Sequence, residues 1–450
     1  MHYPIIRPQG VAVLGGATTQ KLAVPSGFNG TLPVNFFRTA AGVYSSDFDP
    51  NSLKPAVTTP YYFSTAGNGG NNGLTPGTPL NTFGAIFAKA NVDQLRMIAA
   101  GTQAANGAYI LWGNRGWGAQ NPTRSLSVVP DDGVSRFVSV ASASNGVPPT
   151  WTKTAGLTNT YQLTYTGSPL YGPTDLKYLD GNGDFVKPLA AASSAAVDAT
   201  PNSFFLDTGT LTLYVQATDS RNLVGDAFMT SVSTAANGSF TSAGAVTIWV
   251  QNVDFVGGQP FTANQSSAPA GATPNIVMTN CTFQGAQINV DGFVANGKYN
   301  VYLINSRASN NYGDGFGYHA LNGVSGQAFE SGLSTGFNGF LNSSNQSSTA
   351  HDSFIVYTLN PNYRNAANQT IRDITNAQRW IMGGFLGAPI QSDSSGNTIG
   401  IDAQAWVDGT TVTAAASTTL NLAGTAVLKY RNNSTLATAT KTGTGTLATY

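Results

Sequence analysis

Three segments decide the fold: VTIWVQNVDFVGG at residues 246–258, PNIVMTNCTFQGA at 274–286 and KYNVYLINSRASNN at 298–311. Each is an alternating apolar run that reaches an asparagine and continues as a second short strand. Alternation of period two marks a strand with one buried face. The aligned asparagines Asn252, Asn280 and Asn305 are spaced by 28 and 25 residues, the scale of one solenoid turn with loops of varying length. A fixed bend in each turn explains the residue type. Asparagine tolerates left-handed backbone, and its amide can bond to amides stacked above and below. Coincidence in an Asn-rich chain is the competing explanation.

Composition points the same way. Charged residues are 9% of the 450, against roughly a quarter in an average soluble domain, and glycine reaches 51. Helices place Glu, Lys and Arg on their wet faces, yet Glu330 is the sole glutamate. The hydrophobic fraction of 41% and the aromatic fraction of 10% supply core material that a disordered chain lacks. The 21 basic and 21 acidic residues cancel, so no net field draws the chain to nucleic acid or an anionic membrane. Neutral, hydroxylated partners such as glycans fit better. Cys281 stands alone, which excludes an intramolecular disulfide and a multi-cysteine zinc site; it reads as a buried rung residue. The opening MHYPIIRPQGVAVLGG has no basic region followed by an unbroken apolar core, and no long apolar run occurs elsewhere. Neither Sec export nor membrane insertion is expected.

Along the chain, five regions differ in texture. Residues 1–60 hold Pro4, Pro8, Pro25, Pro33, Pro50, Pro55 and Pro60 and read as an irregular β attachment region. Residues 61–150 start with GNGGNNG at 67–73. A short helix is expected from Thr82, with Phe83, Ile86, Phe87 and Ala90 at helical spacing and Asn81 as cap. The strands LRMIAA, AYILWG, SLSVV and RFVSVAS follow as first coils. Residues 151–225, with YQLTYTG, LDGNGDF and the pair SFFLD and LTLYVQ around Thr208-Gly209, predict an inserted antiparallel subdomain. Residues 226–400 form the main solenoid. Residues 401–450 are a Thr/Ala-rich β region with few large apolar residues, which suggests a face buried by another chain, as in a homotrimer.

Several motif matches carry little. The Gly67–Gly73 run lacks the Lys-Ser/Thr ending of a phosphate cradle. Asp180, Asn182 and Asp184 imitate the start of a calcium loop, but Phe185 replaces its glycine and Ala191 its closing glutamate, so a plain turn is the better reading. Gly332-Leu333-Ser334-Thr335-Gly336 has the GxSxG form without the following helix of a serine hydrolase. No cofactor or metal is expected.

The segment STAGNGGNNGLTPGTPLNTFGAIFAKA, residues 64–90, resembles the opening turn and capping helix of pectate-lyase-like β-helix proteins. DGFGYH at 314–319, Glu330, STAHD at 348–352 and NYRNAANQTIRDITNAQRW at 362–380 are similar to β-helix proteins of phage, prophage and gene-transfer-agent-like loci. The resemblance spans residues 60 to 400 and implies an all-β fold, a right-handed parallel β-helix. It implies a spike on a virion surface, assembled in the host cytoplasm. The spike would bind host capsule or lipopolysaccharide glycan and meet other virion structural proteins through residues 1–60. A depolymerase spike, hydrolase or lyase, is the alternative, and a secreted bacterial lyase a third. Fold alone does not choose among them. The aspartate cluster and neighbouring base of pectate lyases cannot be placed on this sequence.

Acid-base groups concentrate in one region. Of three histidines, His319 and His351 lie there with Glu330, joined by Asp314, Asp352 and Asp373. With coils of about 25 residues these positions fall on three successive coils. Glycoside hydrolysis needs two carboxyls, about 5 Å apart for retention and about 6.5–9.5 Å for inversion. Glu330 with Asp352 or Asp373 could supply them, assisted by His319 or His351; a lyase would use either histidine as base. Asp314 and the aromatics Tyr318, Tyr363 and Trp380, with Tyr312 and Phe316 nearby, are the candidate glycan contacts. Turn roles for Asp314 and Asp352, and core packing for the aromatics, are the structural alternatives.

Overall fold

The structure, a computed structural model, describes residues 19–450 except 116, 121, 142–147, 166–171, 232–235, 242–243, 266–272, 288–289, 340–344, 388–398 and 414–419. The opening sequence up to residue 18, including the VAVL run, lies outside the described residues. Three parallel sheets of ten, twelve and nine strands wind as a right-handed β-helix. One coil runs through Phe293–Asn296 in the first sheet, Asn300–Ile304 in the second and Arg307–Ser309 in the third. The next repeats it with Phe316–His319, Gln327–Ser331 and Ser334–Gly336. Stacked strands pair in register, Phe293 with Phe316, Tyr302 with Phe329 and Ala308 with Thr335.

The bend between the second and third sheets is one residue in the left-handed region, and the asparagine spacing in the sequence marks it. Asn252, Asn280 and Asn305 have φ of 58°, 54° and 50°. The row continues through Gly332, Asn360, Gly383, Gly409 and Asn432, all at positive φ. Only residues that tolerate this geometry occupy it. The amide ladder is partial. Asn280 Nδ2 donates to Asn252 Oδ1 at 3.3 Å, whereas a Cβ at Gly332 would lie 2.6 Å from Asn305 Oδ1. Glycine therefore makes room for the asparagine one coil below.

Alternation sends every second side chain inward. Phe255 stacks on Phe283 at 5.8 Å and Phe261 on Phe293 at 5.7 Å, and Cys281 joins the same core. The helix Phe83–Phe87 closes one end with Phe83 and Ile86 fully buried. Its cap is Thr82, whose hydroxyl accepts from Ala85 N–H, in place of the expected Asn81.

Residues 19–57 lie along the outer face of the second sheet. Phe28, Phe36 and Phe48 insert among the outward aromatics Tyr302, Phe329, Tyr357, Trp380 and Trp406. Phe48 stacks on Tyr302 at 4.7 Å and Phe36 on Tyr357 at 5.6 Å. Tyr44 OH donates to Asp408 Oδ1 at 2.7 Å. The segment expected as an attachment arm is thus, over its described length, a cover for an apolar ribbon, each buried aromatic contributing about 1.5–3 kcal/mol.

The insertion is a five-stranded sheet containing the antiparallel pair Ser203–Asp207 and Thr212–Gln216. Its LDGNGDF segment is a turn: Asp180 Oδ1 accepts from Asn182 N–H at 2.8 Å. Asp184 anchors the insertion to the third sheet through both oxygens, each 2.6 Å from Arg307. Gly332 to Gly336 form a corner and a third-sheet strand. Past residue 400 the described residues continue the coils. Gln404–Asp408, Val427–Arg431 and Thr446–Thr449 extend the second sheet, and Leu420, Leu422, Leu428 and Leu436 are buried within the same chain.

Candidate functional site

Six of the candidate residues do not reach solvent: Glu330, Asp373, Phe316, Tyr318, Tyr363 and Trp380. In the strand Gln327–Ser331, Ala328 and Glu330 point inward and Phe329 outward. Glu330 pairs in register with Leu303 and Thr358, an interior row. Asp373 is interior by the same alternation in Ile371–Asp373. Both meet Arg379, which also has no exposed surface. Arg379 Nη1 lies 3.0 Å from Glu330 Oε2, and Nη2 lies 2.9 Å from Asp373 Oδ1. Glu330 further accepts from Tyr318 and Ser348 at 2.9 Å and from Thr358 at 2.6 Å. Burial pushes the Asp373 carboxyl above the ordinary range, against the opposing charge of Arg379.

The catalytic assignments of Glu330 and Asp373 are corrected by this geometry, because a sealed carboxyl cannot touch a polysaccharide. Tyr318 and Tyr363 are interior as well, and Phe316 with them. Trp380 points outward but lies beneath the N-terminal segment, 5.2 Å from Phe36. None of these aromatics offers a face to a sugar.

Of the remaining candidates the two histidines meet on the outer face of the first sheet, with Asp314 buried ahead of its strand and Asp352 in the turn that follows. His319 closes the strand Phe316–His319, and His351 follows Ser348–Ala350 one coil on. Their rings lie with centroids 4.4 Å apart, tilted by 43°. Asn296 and Asn264 continue the row over the two preceding coils, joined by a 2.7 Å amide bond. Beside this row Asp291 turns its carboxylate across the sheet, with Oδ2 3.6 Å from His319 Nε2. Gly317 allows this: a Cβ there would lie 2.1 Å from Asp291 Oδ2. Asp291 Oδ1 accepts from Asp314 N–H at 2.9 Å, and Asp314 Oδ1 from Gln346 N–H at 2.6 Å. Farther along, Arg372 reaches past Gly400 to Asp402, Nη2 to Oδ2 3.4 Å. Asp352 is an exposed turn residue at φ 53° beside His351.

Protonation follows from these neighbours. Burial, then the charge of Asp291, raises the Asp314 carboxyl to about 7. Burial depresses the His319 imidazole, but Asp291 outweighs it and the balance is upward. His351, with burial and the charge of His319 acting together, falls to about 4. Near neutrality His351 is neutral, His319 holds a proton more tightly than a free imidazole, and the Asp314 carboxyl is poised to give one.

Asp291 is absent from the sequence-based set, although a signal for it exists. DGFVAN at 291–296 and DGFGYH at 314–319 are the same motif one coil apart, and Phe293 pairs with Phe316 and Asn296 with His319. Extending that register stacks Asp291 beneath Asp314.

No protein-family model matches this sequence, and no curated protein does. Among solved structures, one similar to this chain is XylC in complex with xylose, at TM-score 0.46 and 8% identity over 83% of this chain and 68% of that one. A glycoside hydrolase is similar at TM-score 0.38 and 8% identity, over 87% of this chain and 96% of that one. Function is read from the site itself.

Proposed function

We propose that this chain acts on polysaccharide, with the outer face of the first sheet around His319 and His351 as the glycan contact and Asp291 and Asp314 as the carboxyl pair. One observation carries the reading: two aspartates stacked on adjacent coils just ahead of the first-sheet strands, one raised to about 7 and the other beside a histidine, on a side that is not covered by the N-terminal segment. Adjacent strands lie about 4.8 Å apart, close to the roughly 5 Å carboxyl separation of retaining hydrolases. Asp314 would donate its proton to the glycosidic oxygen as Asp291 attacks the anomeric carbon. Asp314 would then take a proton from the water that releases the sugar.

Binding without cleavage is favoured by a different observation: Asp314 is 6% exposed and already accepts from Gln346. The distinguishing experiment incubates the protein with capsule, lipopolysaccharide and plant or microbial glycans and assays reducing ends and unsaturated uronates. Hydrolysis predicts reducing ends that Asp291→Asn and Asp314→Asn each abolish. Retention of glycan with no product leaves the binding reading, and products unchanged in both variants sink the assignment of the pair. The resemblance adds the proposal of a homotrimeric spike on a virion surface; sedimentation of the purified chain as a monomer would count against the trimer.

A further inference from the structure

Charge along the first sheet bears on which glycan the strip accepts, given the polysaccharide reading on which this rests. Among the described first-sheet strands from Gly238–Thr241 to Leu420–Leu422, the sole Lys or Arg is Arg372. Its guanidinium faces Asp402 at 3.4 Å, so its charge is largely answered within the protein. Against it stand Asp291, Asp352 and Asp402, with the buried Asp314 holding its proton up to about pH 7. His319 is beside Asp291, and Lys298 lies past the corner that follows Asn296, its backbone N–H donating to Gln265 Oε1. In the same outward row the Asn264 and Asn296 side chains offer amides that match sugar hydroxyls, while Thr262, Val294 and Thr349 are buried.

We infer that the strip takes a glycan free of acidic groups, built of neutral or amine-bearing sugars, and excludes polyuronates and sulfated chains. A polyanion laid along this face would bring a row of negative charges against Asp291, Asp352 and Asp402, with Arg372 already answered by Asp402 and His319 by Asp291. Recognition of carboxylate or sulfate ordinarily recruits Arg in bidentate geometry, and this face offers no such row. A neutral chain meets the same carboxylates as hydrogen-bond acceptors, and an amine-bearing one gains their attraction.

The test is affinity electrophoresis of the whole chain through gels holding dextran, xylan, galactomannan, chitosan oligomers, polygalacturonate or alginate, at low and moderate salt. Retardation by a neutral or amine-bearing glycan is expected, with polyuronates at least tenfold weaker and weakest at low salt, where repulsion is least screened. Asp402→Asn, which uncovers Arg372, should narrow the gap between the classes. Polyuronate binding that tightens at low salt and disappears in His319→Ala would overturn the substrate class while leaving the site. A folded protein retarded by none of these glycans would overturn the polysaccharide reading and the class with it.

Discussion

Replacing Arg379 by methionine removes the one cation from a sealed cluster holding two carboxyls. Glu330 keeps donors from Tyr318, Ser348 and Thr358, whereas Asp373 loses its contacts with both Nε and Nη2 of Arg379. Removing one partner of a buried ion pair typically costs about 3–5 kcal/mol, because the remaining charge has no compensation. The loss should therefore be of that size at pH 8. Acid should shrink it. A folded-state pKa raised above the unfolded value of about 3.9 means that the native state binds the proton more tightly. Stability is then greatest below the unfolded value and falls as pH rises through the folded one. Asp373 already shifts upward in the native protein, and the variant pushes it further. Denaturant unfolding followed by tryptophan fluorescence at pH 5 and pH 8, with wild type in parallel, measures both effects. A deficit under about 1 kcal/mol at pH 8, or one that is equal at the two pH values, would refute the reasoning.

Gly317→Ala should cut glycan cleavage or retention at least tenfold while leaving the melting temperature nearly unchanged, since the new methyl meets the Asp291 carboxylate at 2.1 Å on the outer face; equal activity in the variant would remove Asp291 from the site. Asn280→Val places a β-branched residue at φ 54° and should destabilise by about 1–2 kcal/mol, with Asn280→Gly nearer wild type, as read from denaturation midpoints. If Asp314 is the proton donor, the rate should decline as pH rises through about 7, the protonated form being the active one; a rate flat from pH 6 to 9 would exclude that role.

The coil architecture was legible in the sequence because one residue per turn is forced into left-handed backbone, and asparagine at that bend is a visible mark. It faded where glycine took over at Gly332, Gly383 and Gly409, since glycine is common throughout this chain. The site was legible as a region and misread in its members. Grouping Glu330 and Asp373 with the histidines used proximity along the chain, whereas the pleat decides inside from outside: Tyr318 and His319 are adjacent yet face opposite ways. Asp291 lies outside the 314–373 stretch in which histidine, glutamate and aspartate concentrate, and only the repeated DGF motif places it under Asp314. The cover formed by residues 19–57 could not be foreseen from irregular, proline-rich sequence, because its structure is dictated by the aromatic ribbon it meets.

That cover joins the earliest part of the chain to some of the latest. Tyr44 bonds to Asp408, and Phe28 packs on Trp380 and Trp406, across more than three hundred residues. During synthesis the N-terminal segment can find this seat only after the coils through about residue 408 exist. Until then Trp249, Tyr302, Phe329 and Tyr357 stand bare on a growing sheet. Folding therefore ends with a clasp closing over a sticky seam, and the interval before it closes is when this protein is most exposed to aggregation.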